Sequence, residues 1–392
     1  MHFPALYQGF PMRAQITRAL CAATAGVALV SLGSAGAAHA ADAGPVHPGT
    51  AYVVNQNSGT VTPIHTATGQ AGTPINVKTY PYAIAITPNG KTAYVTNTLR
   101  NTVTPIQVAT RAVGKPINIG EGSQVIAITP NGKTAYVLGS GSGTVTPITT
   151  ATNKAGQPIT AGSFPWAIAI TPNGKTAYVA NSGSGTVTPI STATNTAGQA
   201  IPVGNGPSAI AITPNGKTAY VLNSDSGTVT PIQTATNKPG KAIKIPYSTS
   251  LAPSGSPGQV LIASTPNGKT VYVASQSAGT VTPISTATNT AGQAIPVGTD
   301  PFALAITPNG KSVYVASQDS DTVTPIRTST NTAGRAISVG SLPWAIAVTP
   351  NGKTVYVVNN GSGTVTPIST ATNAAGQAIS VGLAPVSIAI TP

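Results

Sequence analysis

The chain has 392 residues, of which 6% are charged, and its 19 basic and 6 acidic residues give a formal net charge of +13. Its surface is therefore expected to be mostly neutral and polar, with a basic bias. The only cysteine, Cys21, lies near the N-terminus, which excludes disulfides, thiol chemistry and cysteine-ligated zinc in the rest of the chain.

Residues 1–40 have the pattern of a secretory signal peptide. Arg13 and Arg18 form a basic start, residues 19–37 are apolar and small, and Ala38-His39-Ala40 is typical of a cleavage site. We therefore predict export, a lead-in over residues 41–49, and a mature protein that is secreted or held at the cell surface. No later apolar run has spanning length, so no transmembrane segment is expected in the mature chain.

Two points about this segment stay open. Translation could start at Met1 or at Met12, which gives a more ordinary signal length. An uncleaved membrane anchor is the alternative to a signal peptide, although the apolar run is near the short end for a span. Cys21 is a poor lipidation site, because Ala19-Leu20 precedes it where a small residue is expected next to the cysteine.

The rest of the chain repeats the segment TPNGKTAYVTN, residues 87–97, in edited copies. Successive TPNG asparagines lie 42 residues apart, except for one interval of 52, and a fixed period of this length indicates a repeat architecture. Each period holds four short β-branched or aromatic runs bounded by Gly, Asn, Pro or Ser, and no helical periodicity. In the first full copy these runs, A to D, are residues 83–86, 92–95, 102–106 and 115–118.

The links between these runs predict hairpins. In Thr-Pro-Asn-Gly, proline presets φ while asparagine and glycine tolerate positive φ, so A and B should be joined by a tight turn. The B–C links are equally short. Four antiparallel strands in about 40 residues is the pattern of a β-propeller blade, here without the GH and WD signature of the WD40 class.

The number of copies predicts the number of blades. The A, B and C runs each occur eight times, and the repeating region opens on a B run and stops just after an A run. We predict an all-β, eight-bladed propeller over residues 50–392, with N-terminal B, C and D strands and a C-terminal A strand completing one blade. Seven blades with one irregular unit is the alternative. Pairing the termini would leave no open sheet edge.

One feature conflicts with regular blades. Every C run contains a proline, which removes a ladder hydrogen bond from an interior strand. Either D pairs with only part of C, or the proline marks a bulge.

Residues 94–97 spell Tyr-Val-Thr-Asn, between a P-N-G turn and a TVTPI strand. In this respect residues 47–392 resemble the YVTN-type β-propeller repeats of extracytoplasmic, surface-layer-like proteins. The resemblance implies a secreted or cell-surface propeller, usually with no known activity. Some similar secreted propellers are lactonases or antibiotic lyases, although a fold by itself does not fix a function.

The single long interval adds ten residues to one D–A link, around residues 246–258, which are rich in Ser, Pro and Gly. Insertions in repeat proteins map to loops on one face, often the binding face. A tolerated loop extension is the alternative.

Charge is expected to separate between the two faces of the disc. The face with the A–B and C–D links receives one lysine from each TPNGK turn, namely Lys91, Lys133, Lys175, Lys217, Lys269, Lys311 and Lys353. It also receives Arg111, Lys115, Lys154, Lys238, Lys241, Arg327 and Arg335. The opposite face receives Glu121, Asp225, Asp300, Asp319 and Asp321 against Lys78, Arg100 and Lys244. The basic face suggests anionic cell-envelope polymers or lipid headgroups as partners, with solubility alone as the alternative. Nucleic acid is not expected.

A second candidate site lies at the start of the A strands, where one position varies while its surroundings repeat. It holds Tyr82, Gln124, Trp166, Ser208, Val260, Phe302, Trp344 and Val386. Of these, Tyr82, Trp166, Phe302 and Trp344 are predicted ligand-binding residues, since aromatic rings at a channel mouth can stack on sugars. They share alternation parity with Ile84 and its equivalents, so packing between blades is the alternative.

Catalytic and metal sites are not predicted. Asp319-Ser320-Asp321 offers two carboxylates where calcium needs six to eight oxygens, and His47 and His65 have no obvious third ligand. No Ser-His-Asp set, phosphate loop or inward pair of carboxylates is evident, and no cofactor is expected.

The sequence therefore predicts an exported, monomeric, non-catalytic binding or structural module at the cell envelope. Its partners would be anionic or glycan polymers, bound by the basic face or the aromatic mouth. A propeller enzyme of lactonase or lyase type is the alternative.

Overall fold

The computed structural model describes residues 49–78, 80–246 and 261–392, and these form eight antiparallel sheets arranged in a ring. Each sheet is a blade whose strands run from A at the centre to D at the rim. Blade 1 contains the first B strand and the last A strand, and blades 2–8 follow in chain order. The prediction of eight blades is confirmed, and the alternative of seven is wrong.

The strand bounds follow the predicted runs closely. The A strands are Pro81–Ile86, Ser123–Ile128, Pro165–Ile170, Pro207–Ile212, Ile262–Ser264, Pro301–Ile306, Pro343–Val348 and Pro385–Ile390. The B strands are Thr50–Asn55, Thr92–Asn97, Thr134–Gly139, Thr176–Asn181, Thr218–Asn223, Thr270–Ser275, Ser312–Ser317 and Thr354–Asn359. The C strands are Thr60–His65, Thr102–Gln107, Thr144–Thr149, Thr186–Ser191, Thr228–Gln233, Thr280–Ser285, Thr322–Arg327 and Thr364–Ser369.

The outermost strand is reduced to two-residue pieces. The D pieces are Gln70–Ala71, Ile75–Asn76, Ile117–Asn118, Lys154–Ala155, Ile159–Thr160, Thr196–Ala197, Ile201–Pro202, Lys238–Pro239, Ile243–Lys244, Thr290–Ala291, Ile295–Pro296, Thr332–Ala333, Ile337–Ser338 and Ile379–Ser380. Two 3-10 turns, Thr98–Arg100 and Ser224–Ser226, occupy B–C links. Among the described residues, no helix is long and apolar enough to cross a membrane.

The A–B turn is built by its threonine and asparagine side chains. In blade 2 the Thr87 hydroxyl donates to Asn89 Oδ1 at 2.7 Å, and the Lys91 amide donates to the same oxygen at 3.0 Å. The Thr92 amide donates to the Thr87 hydroxyl at 3.0 Å. Only Gly90 adopts positive φ, at 69°, so the asparagine serves as an acceptor and not as a second left-handed residue.

The C-strand proline is accommodated by interrupting strand D. In blade 3, Pro147 lies opposite Tyr136 of strand B, and its carbonyl accepts a 2.7 Å hydrogen bond from the Gly156 amide in D. The missing N–H of Pro147 therefore faces D, and D pairs with C only at Lys154–Ala155 and Ile159–Thr160. Because the B–C ladder loses nothing, the first of the two explanations, partial pairing, is correct.

Apolar clusters between neighbouring blades form the core. The cluster between blades 3 and 4, for example, combines Val125 and Tyr136 of one blade with Ile168 and Val179 of the next. B strands are buried on both faces, and all eight of their tyrosines are at most 2% exposed. Cohesion of the ring therefore depends on blade-to-blade packing of the B-strand tyrosines and their aliphatic neighbours.

The same tyrosines carry hydrogen bonds from blade to blade. In six junctions the hydroxyl donates at 2.5–2.6 Å to the side-chain oxygen of an asparagine in the next blade's C–D link. The pairs are Tyr94–Asn153, Tyr136–Asn195, Tyr178–Asn237, Tyr220–Asn289, Tyr272–Asn331 and Tyr314–Asn373. These asparagines have φ of 53–55°, a left-handed conformation that asparagine tolerates. The two junctions of blade 1 lack the pair, because Gly69 and Arg111 occupy the asparagine position.

Blade 1 closes the ring by pairing both ends of the described chain. Val53 lies opposite Ile388 in the antiparallel ladder, as predicted. Beyond it, the Thr391 amide donates to the Thr50 carbonyl at 2.9 Å. The predicted signal peptide, nearly all of the lead-in and most of the ten-residue insertion lie outside the described residues.

Candidate functional site

Seven lysines form a ring on the face of the disc that carries the A–B turns. We call the set Lys91, Lys133, Lys175, Lys217, Lys269, Lys311 and Lys353 the lysine ring; all seven are exposed. The A strand is the innermost of each blade, so its turn lies next to the central channel. The lysine ring therefore surrounds the channel mouth on this face.

Contacts between successive turns hold the lysine ring in place. A Cβ added to Gly132 would lie 3.3 Å from Pro88 Cδ of the preceding turn, and the same contact recurs from blade to blade. At the closure, Pro392 takes the position of the proline in the preceding turn, and a Cβ added to Gly90 would lie 3.7 Å from Pro392 Cδ. Each turn is also fastened to its own blade, since the Thr150 hydroxyl donates to the Gly132 carbonyl at 2.6 Å. The lysine main chains therefore belong to one interlocked rim.

The described acidic residues lie on the opposite face, in B–C and D–A links, as the sequence predicted. Asp300 is the distinctive member. Burial, and then the nearby charge of Asp319, raise the pKa of the Asp300 carboxyl to about 6, against the opposing effect of a 3.0 Å hydrogen bond from Gln276 Nε2. Asp300 thus changes its charge near neutral pH, which is unusual for an aspartate.

The variable position of the A strands is a β-bulge. In blade 4, Pro165 pairs with Asn181 and Ala167 with Ala180, so Trp166 is the extra residue. The same shift occurs at Gln124, Ser208, Phe302, Trp344 and Val386, and in blade 2 it spans Tyr82. A bulge breaks the alternation and re-aims a side chain. The predicted parity with Ile84 therefore does not hold at this position.

Three of the four predicted aromatic residues come together. The rings of Phe302 and Trp344 lie 4.5 Å apart between centroids, tilted by 47°. Trp344, although it belongs to blade 8, packs against the cluster of blades 2 and 3 that contains Tyr82. It also packs against the clusters of the two intervening junctions, so its side chain projects across the channel. Trp166 is half-buried in blade 4, and the ring pair found among the described residues does not include it.

Polar atoms at three of the bulge positions lack hydrogen-bond partners among the described residues. They are the Tyr82 hydroxyl, Gln124 Oε1 and Trp344 Nε1, and each atom is buried. Tyr82 is 1% exposed, and burial raises the pKa of its hydroxyl well above the usual value. Gln124 was not among the predicted ligand-binding residues. Gln124 occupies the same variable A-strand position as the four predicted aromatic residues, and that position could have identified it from the sequence.

The weaker metal candidates do not assemble into a site. Within the described ranges, no group of three or more His, Cys, Asp or Glu side chains is placed to hold a metal ion. Asp321 Oδ1 accepts a 2.8 Å hydrogen bond from the Leu342 amide, and His65 lies at the end of a C strand near Thr68. His47 lies outside the described residues.

Comparison with known proteins supports the architecture. The chain is an eight-bladed β-propeller. Residues 190–335, less than half of the chain, match the family model described as "Lactonase, 7-bladed beta-propeller". That description has one blade fewer than this ring, which has eight repeats. No curated protein is similar to the chain.

Several solved structures share the propeller fold. Hydrazine synthase from Kuenenia stuttgartiensis is 24% identical with a TM-score of 0.61, over 74% of this chain and 96% of that one. A putative 6-phosphogluconolactonase from Bacteroides fragilis is 17% identical with a TM-score of 0.60, over 90% and 100%. Dihydro-heme d1 dehydrogenase NirN is 13% identical with a TM-score of 0.72, over 93% and 79%. At these identities the likeness shows the fold alone.

Proposed function

We propose that this propeller is an exported, YVTN-like module that holds anionic cell-envelope polymers on its lysine ring. The observation that supports this proposal is the interlocked rim, which presents seven exposed ammonium groups around one opening. The described aspartate and glutamate side chains lie on the other face and do not neutralise it. A polyanion that follows the rim can contact several lysines at once.

Because the lysine backbones are held rigidly, several lysines can contribute to the binding of one polyanion. Single exposed ion pairs contribute little, because solvent screens them and long side chains lose entropy on pairing. Here the backbone of each lysine is fixed by the turn, as with the 3.0 Å hydrogen bond from the Lys133 amide to Asn131 Oδ1. After the first contact, further contacts are intramolecular and gain from a high effective concentration. The proposed binding is therefore multivalent and sensitive to salt.

Co-sedimentation with a polyanion across a salt series tests the proposal. Poly(glycerol phosphate) and polyglutamate serve as probes, with neutral dextran as the control polymer. We expect binding to the polyanions that weakens steeply from about 50 to 500 mM salt, as screening tightens. Replacing Lys133, Lys175 and Lys217 by glutamine should weaken binding more than tenfold.

The matched control is a variant that loses three positive charges from the opposite face. Lys78, Arg100 and Lys244 lie in D–A and B–C regions, and their replacement by glutamine lowers the net charge equally. This variant should retain most of the affinity. Equal losses in both variants would show that net charge matters and the lysine ring does not. Absence of binding at every salt concentration would reject the proposal.

The comparisons support a second candidate more directly than the first, namely a lactonase-type enzyme. The matched family model is named for lactonases, and its range includes Asp300. A carboxyl with a pKa of about 6 can act as a general base near neutral pH, and Asp300 precedes the bulge residue Phe302 at the channel mouth. If the protein is such an enzyme, Asp300 is the residue to test first.

Lactone hydrolysis with and without added divalent metal tests this candidate. We expect turnover with a pH profile that rises through an apparent pKa near 6 and is abolished in Asp300→Asn. Asp319→Asn is the comparison, since it leaves the Asp300 carboxyl in place: turnover should persist, and its pH profile should shift to lower pH because a charge that raises the pKa of Asp300 is removed. Turnover that is unchanged in Asp300→Asn would exclude Asp300 as the base. No turnover of aliphatic and sugar lactones would exclude the enzyme class.

A further inference from the structure

The channel mouth opposite the lysine ring carries polar atoms that the fold leaves without partners. Buried polar atoms are nearly always hydrogen-bonded, so each exception requires a physical reason. Some exceptions here recur: the Oδ1 atoms of Asn55, Asn97, Asn181, Asn223 and Asn359, all at the end of a B strand, are unpartnered. Such repetition belongs to the packing of a blade.

The unpartnered atoms of Tyr82, Gln124 and Trp344 are different. All three residues stand at the bulge position of an A strand. Tyrosine and glutamine occur there in one described blade each, and of the two tryptophans at this position only Trp344 has a buried, unpartnered Nε1. Tyr82 and Trp344 offer an O–H and an N–H donor, and Gln124 Oε1 is an acceptor. The repeat would tolerate the small or aliphatic residues found at Ser208 and Val386. These groups are therefore a local departure from the blade pattern.

The unpartnered atoms carry no charge, and the Asp300 carboxyl, two residues before Phe302, disfavours an anionic ligand. The described A strands contain no charged residue. The raised pKa of Tyr82 keeps its hydroxyl protonated, as a donor, at all ordinary pH values. Phe302 and Trp344 supply aromatic surface beside these groups. A matching ligand needs acceptors, a donor and an apolar face, with no net charge.

We propose that the mouth of the central channel binds an uncharged carbohydrate, with Tyr82 and Trp344 as hydrogen-bond donors and Gln124 as acceptor. Sugar hydroxyls both donate and accept, and the C–H face of a sugar ring packs on aromatic rings. This site lies on the opposite face from the lysine ring and does not depend on it.

Trp344 covers this site in the structure. Its side chain crosses the channel and packs against the cluster that holds Tyr82, yet it is only half-buried and belongs to no single blade core. The sugar therefore enters as the indole of Trp344 shifts, and it receives the hydrogen bonds that the closed arrangement leaves unmade. Burial without partners destabilises these polar groups in the free protein, which favours the exchange.

Tryptophan fluorescence reports this event directly, because the only two tryptophans are Trp166 and Trp344. The purified protein is titrated with N,N′-diacetylchitobiose and with cellobiose, and glucuronic acid is the charged comparison. We expect a saturable emission change with at least one neutral disaccharide and a much weaker change with the acid. Trp166→Phe should retain the change and Trp344→Phe should abolish it.

Tyr82→Phe separates binding from structure. Removing an unpartnered hydroxyl should leave the urea midpoint unchanged or higher, while sugar affinity, measured through Trp344 emission, falls about fivefold to tenfold. Tyr136→Phe is the control, since its hydroxyl is bonded to Asn195 far from the mouth. It should lower the midpoint and leave affinity unchanged.

Three results would overturn the proposal. The first is the absence of a saturable change with any of the neutral sugars, which would mean that ordered water alone serves these atoms. The second is equal binding of glucuronic acid. The third is an equal affinity loss in Tyr82→Phe and Tyr136→Phe. Titration with a tetrasaccharide distinguishes a polymer from a free sugar as the ligand. Tighter binding of the tetrasaccharide than of the disaccharide would indicate the end of a polymer, and equal binding would indicate a free sugar. Either result agrees with the proposal.

Discussion

The hydrogen bond between Tyr136 and Asn195 offers a direct measure of how strongly one blade holds the next. Tyr136→Phe removes the donor and keeps the ring, which is completely buried. Asn195 is exposed, so its Oδ1 regains water and no buried acceptor is left unpaired. The expected loss is therefore the net value of one hydrogen bond, about 1 kcal/mol. With an m-value of about 3 kcal/mol/M, the urea midpoint should fall by about 0.3 M.

Two other tyrosines calibrate this result. In Tyr52→Phe the lost bond is a 3.3 Å contact to the Val108 carbonyl, and in Tyr82→Phe no bond is lost. The loss should therefore decrease in the order Tyr136, Tyr52, Tyr82. Equal losses in the three variants at unchanged m-value would refute the reasoning, since the effect would then come from ring packing. A double-mutant cycle with Asn195→Gly should give a coupling of about 1 kcal/mol.

Further predictions concern pH and the turn rim. Burial raises the pKa of all eight B-strand tyrosines, to about 12 in three of them, so the unfolded chain ionises first and stability should fall as pH rises above about 10. A free energy of unfolding that stays constant as the pH rises from about 9 to about 11 would contradict this. The pKa of Asp300 is raised from 3.8 to about 6, so the stability that its protonated form contributes is lost as the pH rises from about 4 to about 6. In urea titrations Asp300→Asn should therefore stabilise the protein at pH 7 and have no effect below about pH 4, where both states are protonated, whereas Asp319→Asn should do less at both pH values. Gly132→Ala and Gly90→Ala impose the same left-handed strain at φ of 69°, but only the former brings Cβ to 3.3 Å from Pro88, so its thermal midpoint should fall further.

The strand order and the blade count could be predicted because the repeat makes each local signal appear many times. The Thr-Pro-Asn-Gly turn, the B-strand tyrosine and the C-strand proline have constant spacing, and closure follows from which strand type lies at each end. Partial pairing of strand D with strand C was one of two explanations that the sequence left open, and the bounds of the D pieces were not predicted. The predicted D run began at Lys115, whereas the strand begins at Ile117, because the stretch facing Pro105 lacks a ladder partner and only the Gly114 amide bonds to its carbonyl.

The candidate site was predictable only in outline. Variation against a constant background marked the A-strand position. The alternative of packing between blades agrees with the burial of Tyr82, but the bulge puts Tyr82 in the cluster on the other side of the blade from Ile84. A bulge depends on how two strands pair, so Trp344 and Trp166 cannot be told apart by the sequence around them, which is Pro-Trp-Ala-Ile-Ala in both. In the fold Trp344 packs against the clusters of three blade junctions, whereas Trp166 is half-buried at the start of its A strand. Contacts between residues of different blades decided the outcome, and these are not local.

The same comparison between repeats predicts a stabilising substitution at the closing blade. Tyr356 donates at 3.2 Å to the Thr66 carbonyl and lacks the asparagine that six other junctions provide, because Gly69 occupies that position. Gly69 already has φ of 70°, and an added Cβ would meet only Ile379 Cδ1, at an ordinary 3.8 Å. Gly69→Asn should therefore supply the missing acceptor and raise the free energy of unfolding by about 1 kcal/mol. Gly69→Ala is the control, since it adds the left-handed strain without the acceptor and should destabilise. If both variants lose stability equally, the asparagine contributes no bond across the junction, which then depends on apolar packing and on the bond from Tyr356 to Thr66.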